Sequence, residues 1–226
     1  MPQEPTATEA TAIESALEGE EKRLFFAVLL PKSLQAAAEV VQRALQRAKA
    51  DVKWVEPQNL HFTLKFLGDT SLEAVPALAE VGRKVAAETP RMRVMLRKLG
   101  GFPHSQWPQV VWIGCEEGAE GLARLGHRVD TALEEAGLAP ADKKPFVPHL
   151  TLGRARSNRR IKLLVDTVAQ YESIDVGPLV LTSFALMSSQ LGPAGPTYTV
   201  IEEFPLTGGV ASREARAASG EGKAGS

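Results

Sequence analysis

The chain has 226 residues, 44% of them apolar and 23% charged, a balance ordinary for a globular protein and enough for one domain or two small lobes sharing a core. Its formal net charge is −1, its one cysteine excludes an intramolecular disulfide or a cysteine-cluster metal site, and no apolar run approaches the roughly 20 residues needed to span a bilayer. The first residues lack both a basic start and an apolar core, so they do not read as a secretory signal, and the cytoplasm is the expected compartment.

Residues 1–22 read as a flexible tail, and 1–21 hold six acids with no Lys or Arg. Residues 24–30 form a continuous apolar run, predicting a buried strand. Pro31 and Ser33 then introduce a helix with Leu34, Ala38, Val41, Leu45 and Ala48 on one stripe, Ser33 being its expected N-cap. After a short strand at 52–55 comes Leu60-His61-Phe62-Thr63-Leu64-Lys65-Phe66, which alternates strictly. That alternation puts Leu60, Phe62, Leu64 and Phe66 on one face and His61, Thr63 and Lys65 on the other, with Gly68 and Asp69 ending the strand. A helix is expected from near Val75 with Pro76 in its first turn, then strands at 91–96 and 110–114, the latter leading into Cys115 as apolar filler. Leu122, Leu125, Val129 and Leu133 have helical spacing that stops at Gly137. In Val147-Pro148-His149-Leu150-Thr151-Leu152, His149 and Thr151 again share a face, and a helix follows at 161–170. Strands at 180–188 and 198–204, joined by the turn-rich residues 191–196, close the fold before a Gly-, Ala- and Ser-rich tail at 208–226. Neighbouring strands mixed with helices predict α+β.

Each half thus offers a strand, a helix and a strand bearing apolar-His-apolar-Thr, with His61 and His149 set 88 residues apart. A pseudo-symmetric, two-lobed molecule would bring those polar faces together across a cleft. Thr is 13 of 226 residues and His is four, so two histidines with Thr at i+2 would arise by chance about 2% of the time, and matched strand settings lower that further. Residues i and i+2 of a strand point to one side about 7 Å apart. A phosphate against that side could take a hydrogen bond from Thr63 or Thr151 while a histidine reaches another oxygen. Two such strands facing each other place one imidazole on each side of phosphorus, as in-line displacement requires, and histidine's pKa near 6.5 suits both acid and base roles. Neither motif adds a carboxylate or thiol at metal-ligand spacing and no His-Glu-x-x-His occurs, so no metal is expected.

The other two histidines lack this setting: His104 falls in the loop Gly101-Phe102-Pro103-His104-Ser105, and His127 lies off its helix's apolar stripe. Residues 141–163 hold seven bases against Asp142, a local balance of +6 that the acidic tail hides in the average. Following His149, that segment is a candidate surface for a phosphate backbone.

The chain resembles the bacterial and archaeal RNA 2′,3′-cyclic phosphodiesterases, also called 2′-5′ RNA ligases, of the two-histidine phosphoesterase superfamily. The resemblance rests on Arg23-Leu24-Phe25-Phe26-Ala27-Val28, the run from Trp54 through His61 and Thr63 to Gly68, Gly101-Phe102-Pro103, the run from Pro145 through His149 and Thr151 to Arg154, and Gly195-Pro196-Thr197-Tyr198 with Phe204-Pro205-Leu206. It implies a domain at 23–207 made of two pseudo-symmetric lobes, each an antiparallel sheet flanked by helices, with the active-site groove between the sheets. It further implies His61 as proton donor to the leaving oxygen, His149 as acceptor from water, Thr63 and Thr151 on the phosphate, and Lys65, Arg154, Arg156 and Tyr198 as substrate-binding candidates. The implied reaction turns a terminal 2′,3′-cyclic phosphate of RNA into a 2′-phosphomonoester, with no cofactor, and by reversibility could join ends through a 2′-5′ bond. Gln109 stands where many members carry an Arg, which removes one phosphate cation; Arg154, Lys65 or Arg156 could compensate. Two other functions fit the same motifs: a non-catalytic module that binds RNA ends, and a phosphodiesterase for a small cyclic nucleotide. The partner expected is RNA with a cyclic-phosphate end, tRNA-like ends included, with no membrane association; a monomer is expected, although no motif fixes oligomeric state.

Overall fold

In the computed structural model, which describes residues 20–103, 108–171, 173–192 and 195–208, the chain forms nine strands and four α-helices. They run β1 (Glu21–Leu29), α1 (Lys32–Gln46), β2 (Val52–Trp54), β3 (His61–Ser71), α2 (Val75–Glu88), β4 (Met92–Phe102), β5 (Val110–Cys115), α3 (Ala119–Glu135), β6 (His149–Ala155), α4 (Ile161–Gln170), β7 (Asp175–Leu181), β8 (Ser183–Gly192) and β9 (Gly195–Pro205). Two antiparallel sheets result, a four-stranded one in the order β3-β1-β8-β9 and a five-stranded one in the order β2-β6-β5-β4-β7. Setting the short β2 aside, the orders correspond strand for strand, and each histidine-bearing strand pairs with the strand that opens its own half, β3 with β1 and β6 with β5. The α+β, two-lobed architecture read from the sequence is the one observed.

Helices cover the outer faces. α2 packs on β8 and β9, α3 on β3, α1 on β7 and α4 on β4. Period-2 burial in the strands and the apolar stripes of the helices close one continuous core that draws on both sheets, including Phe26, Phe62, Ile113, Leu122, Leu150, Phe184 and Phe204. Gly82 lets α2 approach it, because a Cβ there would sit 2.6 Å from the Phe204 ring. On the opposite face of the four-stranded sheet a smaller buried cluster of Phe25, Ala27, Ala185 and Met187, with Tyr198 against it, forms the floor of the inter-sheet groove.

Several boundaries differ from expectation. Pro31, not Ser33, is the N-cap of α1; its carbonyl accepts from Leu34 and Gln35 N–H, and Ser33 lies exposed within the first turn. Gly68, with φ +78°, does not end β3 but occupies an irregularity through which pairing continues to Ser71. The single strand expected at 180–188 is two, because the chain leaves the five-stranded sheet after Leu181 and enters the four-stranded one at Ser183. Glu21 and Lys22, read as tail, pair within β1, and most of both tails, with His104, falls outside the described residues. His127 is exposed on α3, and Cys115 packs half-buried against the core, where burial pushes its thiol up to about 12.

Candidate active site

β3 and β6 face each other across the groove and repeat one local design. His61 through Leu67 and His149 through Ala155 share one burial sequence: half-buried, buried, half-buried, buried, buried, exposed, half-buried. The doubled "buried" has the same cause on both strands. Ala27 pairs with Thr63 but Phe26 with Lys65, leaving Leu64 as an extra residue; Trp112 pairs with Thr151 but Val111 with Gly153, leaving Leu152 as its counterpart. Each bulge flips the faces that follow it. The groove side of β3 therefore carries His61, Thr63 and Phe66, and that of β6 carries His149, Thr151 and Arg154, all lining one cavity of about 430 Å³.

Each imidazole is held by the backbone two residues before it. His61 Nδ1–H donates to the Asn59 carbonyl at 2.7 Å, and His149 Nδ1–H donates to the Val147 carbonyl at 2.7 Å. A carbonyl can only accept, so the neutral tautomer carries its proton on Nδ1 and leaves Nε2 as the acceptor. Neither Nε2 has a hydrogen-bond partner among the described residues. Asn59 is itself tied to β9, at the other edge of the same four-stranded sheet, its side-chain Nδ2–H donating to Pro196 O at 3.2 Å. Rings pack around both: Phe25 lies 5.0 Å and Tyr198 5.2 Å from His61, and Phe102 lies edge-on 5.0 Å from His149.

Burial pushes both histidine pKa values below 6.5, opposed in each by the carbonyl hydrogen bond; the Arg154 charge lowers His149 further. Tyr198 is raised by burial, against the charges of Arg154 and Arg23. Among the described groove residues there is no Asp, Glu or Cys, so the site combines two imidazoles, hydroxyls, an amide and two guanidinium groups. Such a set can hold an anion between two proton carriers.

Of the residues singled out in the sequence, His61, Thr63, His149, Thr151, Arg154 and Tyr198 line the groove. Lys65 does not. The bulge at Leu64 turns it into the interior, 3% exposed, where Nζ donates to Asp130, Asp142 and the Pro140 carbonyl. Arg156 follows β6 outside the cavity, exposed, its backbone N–H on Asp51 O, and Gln109 is exposed away from it. Sequence reasoning missed Arg23, Phe66, Asn59, Ser189 and Leu191. Arg23 shares a face with Phe25 and Ala27 on β1, but a strand read as a continuous apolar run offers no basis for assigning faces.

A family model described as the 2'-5' RNA ligase superfamily matches residues 30–192. A protein of Aquifex aeolicus (strain VF5) named RNA 2',3'-cyclic phosphodiesterase is 37% identical over 187 residues, 82% of this chain and 98% of that protein. The crystal structure of TT0787 of Thermus thermophilus superimposes with a TM-score of 0.70 at 34% identity, covering 83% of this chain and 99% of that one. The crystal structure of E. coli LigT complexed with 3'-AMP superimposes with a TM-score of 0.66 at 27% identity, covering 83% and 99%.

Proposed function

The chain belongs to the 2'-5' RNA ligase superfamily, and from that membership and the paired imidazoles of its groove we propose that it opens the terminal 2′,3′-cyclic phosphate of RNA. Water attacks phosphorus, the P–O3′ bond breaks, and a 2′-phosphomonoester with a free 3′-hydroxyl remains. His149 takes the proton from water, His61 gives one to O3′, and Thr63 and Thr151 hold the non-bridging oxygens. The observation that carries this reading is the matched pair of Nδ1–carbonyl bonds, which leaves an Nε2 on each side of one cavity. No step needs a metal: the two histidines supply the proton traffic, and Arg154 offsets charge on the phosphate.

The test is incubation of the purified protein with an oligoribonucleotide ending in a 2′,3′-cyclic phosphate, in EDTA. A 2′-phosphomonoester is the expected product; tight binding without turnover would replace the reaction with an end-binding role. Arg156, Arg159, Arg160 and Lys162 are exposed along the path leaving the groove after Arg154, which favours a polymeric, tRNA-like end over a small cyclic nucleotide. Apparent affinity should therefore fall steeply with salt, and a flat response would favour the small ligand. We place the activity in the cytoplasm and in a monomer, because one chain supplies both histidines; among the described residues, no helix is long and apolar enough to cross a membrane.

The pH dependence follows from the burial of both imidazoles. The base must be neutral, so activity is lost as pH falls through its pKa; the acid must be protonated, so activity is lost as pH rises through its pKa. Since burial lowers both in the free protein, the bell-shaped kcat/KM profile is expected to centre below 6.5. A bound phosphate anion raises both, moving the kcat profile to higher pH than that of kcat/KM. The two limbs belong to the pair rather than to either residue. A kcat/KM profile that still rises beyond about pH 8 would contradict the two-histidine scheme.

A further inference from the structure

Three polar or charged side chains are buried among the described residues, and two of them make matching contacts between the halves of the molecule. Thr89 only donates back to its own helix, to Val85 O. Gln42, 2% exposed, lies on the apolar stripe of α1 between Ala38 and Leu45, where an unpaired amide would be costly. Its Nε2 donates to Val55 O at 2.8 Å and to Leu152 O at 2.9 Å. The Leu152 carbonyl also takes the Val55 N–H at 2.9 Å. Leu152 is the extra residue of the β6 bulge, between Thr151 and the return of Arg154 to the groove. Val55 lies on the approach to β3, ahead of the 3-10 turn Pro57–Asn59 whose last carbonyl holds His61. The second half mirrors this arrangement. Asp130 on α3 stands 19 residues before His149, as Gln42 on α1 stands 19 before His61. Asp130 grips the other strand's bulge through Lys65, the neighbour of the extra residue Leu64, and the same ammonium binds Pro140 O and Asp142 on the approach to His149.

We propose that Gln42 is a positioning residue for the reaction: its amide fixes the approach to His61 against the strand of His149, and so sets the span between the two imidazoles. Each half's first helix packs on the other half's sheet, α1 on β7 and α3 on β3, and α1 also packs on the turn before His61, so a side chain on α1 can reach both. The amide has two N–H donors, and the two carbonyls it meets belong to the two histidine segments. An apolar side chain of the same size would leave Val55 O without this donor and free the bulge to slide. In-line displacement needs one imidazole in reach of water and the other in reach of the leaving oxygen at the same instant. Holding the phosphate is less demanding, because a hydroxyl on either strand or the Arg154 guanidinium can follow a small shift. A displacement of about 1 Å between the strands therefore falls on the rate rather than the affinity, and such a misplacement costs about 10²-fold. The inference rests on the reading that both imidazoles serve one displacement.

The test is kcat and KM for opening of a cyclic-phosphate oligonucleotide at about pH 6, well below each protein's Tm, in the wild type, Gln42→Met and Gln42→Glu. Gln42→Met is expected to lower kcat about 10- to 100-fold with KM little changed, a split that loss of stability alone does not produce in folded protein. Gln42→Glu, whose buried carboxyl stays protonated at that pH and keeps one O–H donor, is expected to fall between the two. Wild-type kcat in Gln42→Met, or an unchanged kcat with a raised KM, overturns the positioning role. If Gln42→Met does not fold, Gln42→Glu decides alone, and wild-type kcat in it is the overturning result. Proton NMR of the two imidazoles during titration with inorganic phosphate reads the same geometry without turnover: both rings should respond together in the wild type, and one should respond weakly in Gln42→Met. Loss of that joint response in a protein whose wild type opens no cyclic phosphate would discard the proposed reaction and keep the positioning role. Opening by the wild type, with kcat and the joint response both retained in Gln42→Met, would do the reverse.

Discussion

Replacing either His61 or His149 by alanine is expected to lower the rate of cyclic-phosphate opening by at least about 10²-fold, with the double variant little worse than the poorer single one. The two imidazoles serve one displacement, so removing either leaves the other with a proton it cannot usefully give or take. The expectation is specific to chemistry and not to folding. Both rings stand on the groove side, outside the main core, and each donates its Nδ1–H only to a carbonyl of its own strand's approach. Circular dichroism and thermal melts should therefore match the wild type. The roles separate with a substrate whose bridging 3′-oxygen is replaced by sulfur. A thiolate leaves without protonation, so the defect of His61→Ala should shrink on that substrate and the defect of His149→Ala should persist. Full activity in either single variant would remove the two-histidine mechanism, and rescue of His149→Ala by sulfur would exchange the assignments.

What the sequence made legible stops at a definable residue on each strand. Alternation correctly assigns His61 and Thr63, and His149 and Thr151, to the groove face, because between them the pleat is regular. It fails at Leu64. The bulge there inserts a residue with no Gly or Pro to mark it, and Lys65 and Phe66 exchange faces as a result. The other irregularity in β3 does carry a mark, the left-handed Gly68, but a glycine after an apolar run reads equally well as a strand end. β7 and β8 merge into one predicted strand for a related reason: Leu181 and Phe184 are both apolar and buried, and nothing in the intervening residues announces that the chain changes sheets. The tautomer-fixing carbonyls of Asn59 and Val147 are backbone groups, and sequence carries no sign of them. Two-residue spacing is local and survives translation into structure; the faces beyond a bulge are set by the neighbouring strand and do not.

The misassigned lysine yields the second large effect. Lys65→Met is expected to destabilise the fold by about 3 kcal/mol, because it removes the buried cation from its pair with the largely buried Asp130, with the exposed Asp142 at the rim. That corresponds to a fall in Tm of about 6–12 °C for a chain of this size. Lys65 Nζ uses three donors at once, to Asp130 Oδ1 at 2.5 Å, Asp142 Oδ1 at 2.8 Å and Pro140 O at 2.8 Å, while both Asp130 oxygens lie 3.1 Å from Asp142 N–H. One ammonium thereby fastens β3 to α3 and to the segment that leads into His149. Methionine fills the space but leaves Asp130 with a charge and no counter-ion. Burial acts to lower the Lys65 pKa, but the hydrogen bonds and charges of Asp130 and Asp142 together outweigh it, and the net shift is upward. The folded value thus exceeds the unfolded one, so the contribution is complete below about 10.4 and is lost as pH rises through the folded value. The gap in Tm between wild type and variant should accordingly be constant from neutral pH upward and narrow only in strong alkali. Adding Asp130→Leu to Lys65→Met should recover part of the loss, since an apolar pair leaves no orphaned charge. A variant that melts with the wild type would refute the buried clamp. Where both proteins are folded, the salt dependence of KM separates this account from the one alternation suggested: a lysine on the substrate phosphate would flatten that dependence when removed, and a clamp behind the strand leaves the slope where it was.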